Sequence, residues 1–243
     1  MTLILALKRN ALLNHKNLIS WVGKYHMKVY CISGIAADKR AFKHIRLPKG
    51  FEIAFIDWIK PLRKESLGDY AVRLAQPINT GEPFGLIGLS LGGIMASEIT
   101  TFCKPEATIL IGSVPVFSEL PPYYQWVRRL RIQKLVPGTL YKYAAIVKHY
   151  FTREPAEDKK EIFQMIRETE PAFIRWGINA VLHWTNTQKP ESLTHIHGTR
   201  DEVFPFAYTR PTHIIPRGDH MLVISHPHEI NTIIRQALSK IVL

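Results

Sequence analysis

The chain has 243 residues, is 46% hydrophobic and carries a formal net charge of +12. That length and apolar content can bury one substantial core and predict a single domain with an insertion. No apolar run approaches the roughly 18 residues of a membrane-spanning helix. The two cysteines, Cys31 in a predicted strand and Cys103 at a helix end, are expected as small buried apolar groups rather than a disulfide, so nothing indicates an oxidising compartment.

Residues 1–26 carry Lys8, Arg9, Lys16 and Lys24 without a single acid. The apolar run at the front is too short and wrongly ordered for a secretory signal. One reading is an N-terminal extension outside the fold, with Met27 as the natural start. The other is a helix with Leu12, Leu13, Leu18, Ile19 and Val22 on one face. Without these residues the net charge is +8.

From Met27 onward, strand and helix patterns alternate. Val29–Ile32 reads as a strand and is followed by the loop Ser33-Gly34-Ile35-Ala36-Ala37-Asp38. Glu52–Ile59 is strand-like, Ser66–Ala75 helical, Phe84–Leu89 a strand, Leu91–Cys103 a helix and Ala107–Ser113 an almost wholly apolar strand. Apolar strands separated by helices predict a mostly parallel sheet covered on both faces.

Between Phe84–Ile87 and the helical Ile94–Phe102 stands Gly88-Leu-Ser-Leu-Gly92, followed by Gly93. A strand that turns sharply into a helix forces its central residue into a strained backbone and requires small residues around it. Gly88 and Gly92 meet that need, Gly93 permits close helix packing, and Ser90 is left projecting with its hydroxyl exposed. An ordinary glycine-rich connection is the bland alternative. A hydroxyl becomes a useful nucleophile only beside a base that an acid orients.

From about Val114 to Lys189 no strand is evident, and aromatic and basic residues crowd together, among them Tyr123, Tyr124, Trp126, Arg128, Arg129, Arg131, Tyr141, Tyr143, Tyr150 and Phe151. Helical spacing recurs at Ile162, Met165 and Ile166 and again at Phe173, Ile174, Ile178, Val181 and Leu182, where Pro171 suits a helix start. Trp176 and Trp184 stand eight apart on one predicted helix face. These aromatics either line a pocket or form the core of the segment itself, and the spacing alone fits both.

Ser192–His197 alternates like a strand and breaks into Gly198-Thr-Arg-Asp201-Glu202. Thr212–Ile215 forms another short run, and Pro216-Arg-Gly-Asp-His220 follows it, just before a terminal amphipathic helix. With the serine turn, these two segments resemble the α/β-hydrolase superfamily over roughly residues 28 to 243. The matching residues are Gly88-Leu-Ser-Leu-Gly92, His197-Gly-Thr-Arg-Asp201 with Val203 and Pro205 beyond, and Gly218-Asp-His220.

The resemblance implies an α/β fold, a mostly parallel central sheet with helices on both faces, built from 27–113 and 190–243, with 114–189 inserted as a helical cap. It implies Ser90 as nucleophile, His220 as general base and Asp201 as the acid that holds the imidazole. Glu202 and Asp219 are nearby carboxylates, but the family places the acid four residues after the histidine of the His-Gly pair. Oxyanion donors are expected from the N–H groups of Leu91 and Ile35. Ser33 stands where the family usually has histidine, while Gly34 keeps the loop's close approach.

The implied activity is cofactor-independent serine hydrolysis of a small ester or thioester. The same three residues could instead serve carbon–carbon bond hydrolysis or a lyase reaction, and the fold could carry a non-catalytic binding protein. The expected partner is a small acyl substrate. No nucleic-acid motif accompanies the basic cluster of Arg128, Arg129, Arg131 and Lys134, which reads as a solvated face; the alternative is a basic cap rim that favours anionic substrates. His195 and His197 share a strand face but lack a third ligand at any recognised metal spacing. No phosphate loop or dinucleotide fingerprint occurs. Missing targeting signals predict a cytoplasmic protein.

Overall fold

The computed structural model describes residues 26–130, 137, 139–140 and 156–241. Arg131, Lys134, Tyr141, Tyr143, Tyr150 and Phe151 of the predicted insertion, and all but His26 of the predicted extension, lie outside the described residues.

Six strands, β1 (Met27–Ile32), β2 (Phe51–Ile56), β3 (Phe84–Leu89), β4 (Ala107–Ile111), β5 (Leu193–Gly198) and β6 (His213–Ile215), form one parallel sheet in the order β2-β1-β3-β4-β5-β6. The apolar runs are explained by burial on both faces, as a parallel sheet requires. Because strand side chains alternate, Tyr30, Ile32, Leu86 and Leu110 enter one core, and Val29, Cys31, Ile87 and Ile109 enter the other.

The first core is covered by α1 (Leu67–Leu74), α2 (Leu91–Ile99) and part of α5 (Pro171–His183). The second is covered by α4 (Ala156–Glu168), α6 (Leu222–Ser225) and α7 (Pro227–Ser239). The short α3 (Tyr123–Arg129) buries none of its residues. No helix among the described residues is long and apolar enough to cross a membrane. Cys31 is buried and Cys103 half-buried, and both are free thiols.

Four local outcomes differ from the sequence pattern. The apolar strand from Ala107 ends at Ile111, short of Ser113, because Gly112 turns the backbone to φ 54°. The second strand stops at Ile56, short of Ile59, because it lies at the sheet edge and its neighbour β1 ends opposite it at Ile32. The helix after Ser90 stops at Ile99, short of Cys103. Thr100 and Thr101 turn their hydroxyls onto the carbonyls of Ser97 and Glu98, competing with continued helix there. Trp184 lies beyond the end of α5 in extended backbone, so it does not share a helix face with Trp176.

Between β4 and β5 the chain leaves the sheet and returns with α4 and α5 against its C-terminal edge. Helix α4 is fastened by charge. Lys43 Nζ reaches Asp158 at 2.5 Å and Glu161 at 2.7 Å, His44 Nε2 lies 3.1 Å from Asp158, and Arg40 pairs with both Asp38 and Glu168. Burial alone would raise the Asp158 pKa, but Lys43 and His44 outweigh it and hold the carboxyl below its usual range. Lys43→Ala leaves Asp158, whose side chain is 7% exposed, short of its main partner. We expect a loss of about 1–2 kcal/mol in urea unfolding, more than an exposed pair is worth and less than a fully buried one. An unchanged urea midpoint would show that α4 is held by its apolar face alone.

Candidate active site

The order of strand addition reverses between β1 and β3: from β1 the chain goes to β2 on one side, then returns to β3 on the other. The loops leaving β1 and β3 therefore diverge at their C-terminal ends and open a crevice there. Ser33–Asp38 and Ser90 occupy that crevice.

Ser90 has φ 51° and ψ −118°, a region that costs a non-glycine residue energy and persists only when its surroundings enforce it. Its N–H donates to Ile111 O at 3.1 Å, and its own carbonyl accepts from Ser113 Oγ at 2.7 Å. The glycines around it are required by contact. A Cβ on Gly88 would stand 2.4 Å from Gly92 O, and one on Gly92 only 2.1 Å from Ile32 O. A Cβ on Gly93 would stand 2.4 Å from Ser113 Oγ. Although Ser90 sits at the N-cap of α2, its hydroxyl makes no capping bond. The turn aims it elsewhere.

It points at His220. Ser90 Oγ is 2.9 Å from His220 Nε2, and His220 Nδ1 is 2.9 Å from Asp201 Oδ2. An ionised carboxylate only accepts, so Nδ1–H donates to Asp201 and the lone pair of Nε2 faces the serine O–H. Asp201 is 4% exposed, and its Oδ1 accepts from the N–H groups of Val203 (2.8 Å) and Phe204 (2.9 Å). Burial alone would raise its pKa. The charge and hydrogen bond of His220, the Phe204 N–H and the charge of His197 together prevail and keep the carboxyl below its ordinary range.

The structure thus brings together Ser90, Asp201 and His220 from three loops. The competing carboxylates are engaged elsewhere or exposed. Asp219 Oδ1 accepts from Met221 N–H and Ser225 Oγ at the start of α6, while Glu202 is exposed at the pocket rim. Gly34 brings its loop against the serine, where an added Cβ would lie 3.2 Å from Ser90 Cβ. That loop is closed by Ser33 Oγ donating to Ala37 O at 2.7 Å, by positive φ at Ala36 and by Trp58 Nε1–H donating to Gly34 O at 3.2 Å. Ile35 and Leu91 flank this approach, and their side chains meet Gly177 of α5, which passes over them.

A cavity of about 400 Å³ opens onto Ser90 and His220. Its walls are mostly apolar, including Ile35, Ile162, Met165, Ile166, Ile174 and Ile178, with Arg200, Glu202 and Asp219 also on the lining. Trp58, Trp176, Trp184 and Phe173 do not line it. Phe173, Trp176, Trp58 and Tyr70 stack with one another instead, and Trp176 Nε1–H donates to Glu65 O while Trp184 Nε1–H donates to Glu98 Oε2. These aromatics pack the structure.

Sequence reasoning did not single out Gly112 or Ser113. Gly112 has φ +54°, and a Cβ there would stand 3.1 Å from His220 O. Ser113 holds the Ser90 carbonyl. The signal was present in the Gly-Ser pair at the end of the most apolar strand, which is the position next to the serine turn.

His195 and His197 also found structural partners. Each imidazole donates Nε2–H to a carbonyl, of Ser113 at 2.9 Å and of Phe204 at 2.8 Å respectively, and both side chains are fully buried. Burial, and secondarily the neighbouring His197, push the His195 pKa down to about 4. Burial also lowers that of His197, against the pull of Asp201. At neutral pH His195 stays neutral in the fold, while an unfolded chain binds a proton there near pH 6.5. Stability is therefore full above that pH and falls as the pH drops from about 6.5 to 4, by roughly 3 kcal/mol for His195 alone. Unfolding free energies measured across this range should decline, and His195→Gln should flatten the slope. A pH-independent free energy between 7 and 4.5 would contradict the assignment.

Residues 40–233 match the model of the alpha/beta hydrolase family, and the chain belongs to that family. No curated protein matches it. Among solved structures it is similar to a thermophilic esterase from Thermogutta terrifontis (malate bound), at 18% identity and TM-score 0.64, covering 89% of this chain and 91% of that one. MenH from S. aureus is similar at 15% identity and TM-score 0.68, covering 88% and 94% of the two chains. An esterase from Exiguobacterium antarcticum follows at 14% identity and TM-score 0.67, with 89% and 92% covered. At these identities the likeness is one of fold.

Proposed function

We propose that the protein is a serine hydrolase that cleaves a small ester or thioester through an acyl-enzyme on Ser90, with residues 114–189 acting as a cap over the substrate. The observation that carries this reading is the unbroken hydrogen-bonded series from Ser90 Oγ through His220 to buried Asp201, opening on an apolar cavity. Esterases among the similar structures support it.

Ser90 Oγ attacks the substrate carbonyl carbon while its proton passes to His220 Nε2. Asp201 stabilises the imidazolium and fixes the tautomer. The oxyanion of the tetrahedral intermediate is met by the N–H groups of Leu91 and Ile35. Leu91 stands in the first turn of α2, where an N–H has no intrahelical acceptor. His220 then gives the proton to the departing alcohol or thiol. Water, deprotonated by His220, attacks the acyl-enzyme, and the acid leaves with Ser90 restored.

The test combines labelling and turnover. A fluorophosphonate should capture Ser90 in folded protein, and p-nitrophenyl esters or acyl-CoA thioesters should be hydrolysed without added cofactor. Folded protein that neither labels at Ser90 nor turns over either series would sink the proposal and favour a binding role for the fold.

A further inference from the structure

Beside the cavity at Ser90 lies a second one of about 350 Å³, lined by Trp58, Ile59 and Phe173 and by five charged residues, Asp57, Lys60 and Glu168 among them. The two cavities share two lining residues, Ala37 and Met165. Ala37 is a small residue in the loop after β1. Met165 is the larger side chain at the boundary, projecting from α4 and 4% exposed. Its thioether is held in place, since the Asp38 N–H donates to Met165 Sδ at 3.5 Å. The backbone behind it is also tied, with Met165 O accepting from Thr169 Oγ1 at 2.9 Å. The ion pairs of Lys43 and Arg40 fasten the same helix on either side of this residue, at Asp158, Glu161 and Glu168.

We propose that Met165 is the residue that sets acyl length. An aliphatic acyl chain attached at Ser90 runs along Ile162 and Ile166 and ends against the Met165 thioether. The cavity before that stop is at the small end of the range for ligand pockets, about 300–1,000 Å³, so the substrate class is a short- or medium-chain saturated acyl group. This inference deepens the acyl-enzyme reading and rests on it for the identity of the bound chain. An unbranched thioether is suited to such a stop, since it fills an irregular gap between two walls without a polar group that an alkyl chain would have to desolvate.

Removing the side chain beyond Cβ joins the two cavities. In Met165→Ala, the ratio of kcat/KM for dodecanoyl to that for butanoyl p-nitrophenyl esters should rise at least about tenfold, the worth of a methylene or more in an apolar pocket. Ile162 lines only the cavity at Ser90. Ile162→Ala widens that cavity without opening the wall, and it should move the ratio far less. Binding of saturated fatty acids from butanoate to hexadecanoate, followed by calorimetry, reads the same boundary without turnover. Wild-type affinity should stop rising at a chain length that Met165→Ala extends.

The outcomes separate the two ideas. A shifted binding limit in protein that hydrolyses no ester or thioester would retain Met165 as the stop and remove the reaction. Normal hydrolysis with no shift in either ratio or binding limit, or equal shifts in both variants, would overturn the role of Met165 and leave the reaction standing.

Discussion

Ser90→Ala should leave a folded protein that hydrolyses its ester on the order of 10⁴- to 10⁶-fold more slowly than the wild type. The substitution removes one oxygen from a half-buried site. Its backbone conformation is already imposed by the Ile111 and Ser113 hydrogen bonds and the flanking glycines, so the fold should not be lost. His220→Ala should cost a similar factor, because a serine hydroxyl without a base is a poor nucleophile. The double variant should be little worse than either single one, since the groups act as a unit.

Asp201→Asn should also lose about 10⁴-fold, because an amide NH₂ facing Nδ1 favours the opposite imidazole tautomer and removes the acceptor from Nε2. That variant has a structural side effect that Ser90→Ala lacks. Oδ1 of Asp201 accepts the N–H groups of Val203 and Phe204, so an incorrectly oriented amide would also loosen this loop. Steady-state kinetics on the best ester of the panel, with circular dichroism to confirm folding, gives the comparison. A Ser90→Ala protein within tenfold of wild-type turnover would refute the nucleophile.

Much of this arrangement was legible because local chemistry and global fold impose the same demands on the same residues. Gly88 and Gly92 had to be small for the turn and Gly93 for close helix packing, and Gly92 proves small against β1 and Gly93 against Ser113 as well. The apolar runs at Phe84–Leu89 and Ala107–Ile111 had no alternation to betray a solvent face, and both strands are buried throughout. The lining of the cavity was not legible. Ile174 and Ile178, one turn apart on α5, face the cavity, while Phe173 and Trp176 of the same apolar helix pack on Trp58 and Tyr70. Helical periodicity identifies an apolar face, but it does not say whether that face meets protein or empty space. The fate of His195 was hidden for a related reason. Its partner, the Ser113 carbonyl, lies 82 residues earlier in the chain, and no spacing rule reaches that far.

Gly92→Ala should be the most damaging single methyl group in the protein. Its Cβ would fall 2.1 Å from Ile32 O and 2.4 Å from Ser33 O. These are backbone atoms at the end of a central strand, so no rotamer change can relieve the contact. Either α2 withdraws from β1 or the strand end is displaced, and each route opens a core whose nearby members Ile32, Leu91 and Ile94 are almost wholly buried. We expect a loss exceeding about 4 kcal/mol, the range reserved for severe overpacking, seen as insoluble protein or a collapsed urea midpoint. Gly34→Ala provides the contrast on the opposite wall of the crevice. Its Cβ would approach Ser90 Cβ at 3.2 Å, a distance that a few tenths of an ångström of movement can relieve. The fold should survive while the serine and the Ile35 N–H shift relative to each other, lowering kcat by about 10²-fold, as small misplacements in a reacting geometry do. If Gly92→Ala were stable and active, the close approach of α2 to β1 would be dispensable, and the strained backbone of Ser90 would need another origin.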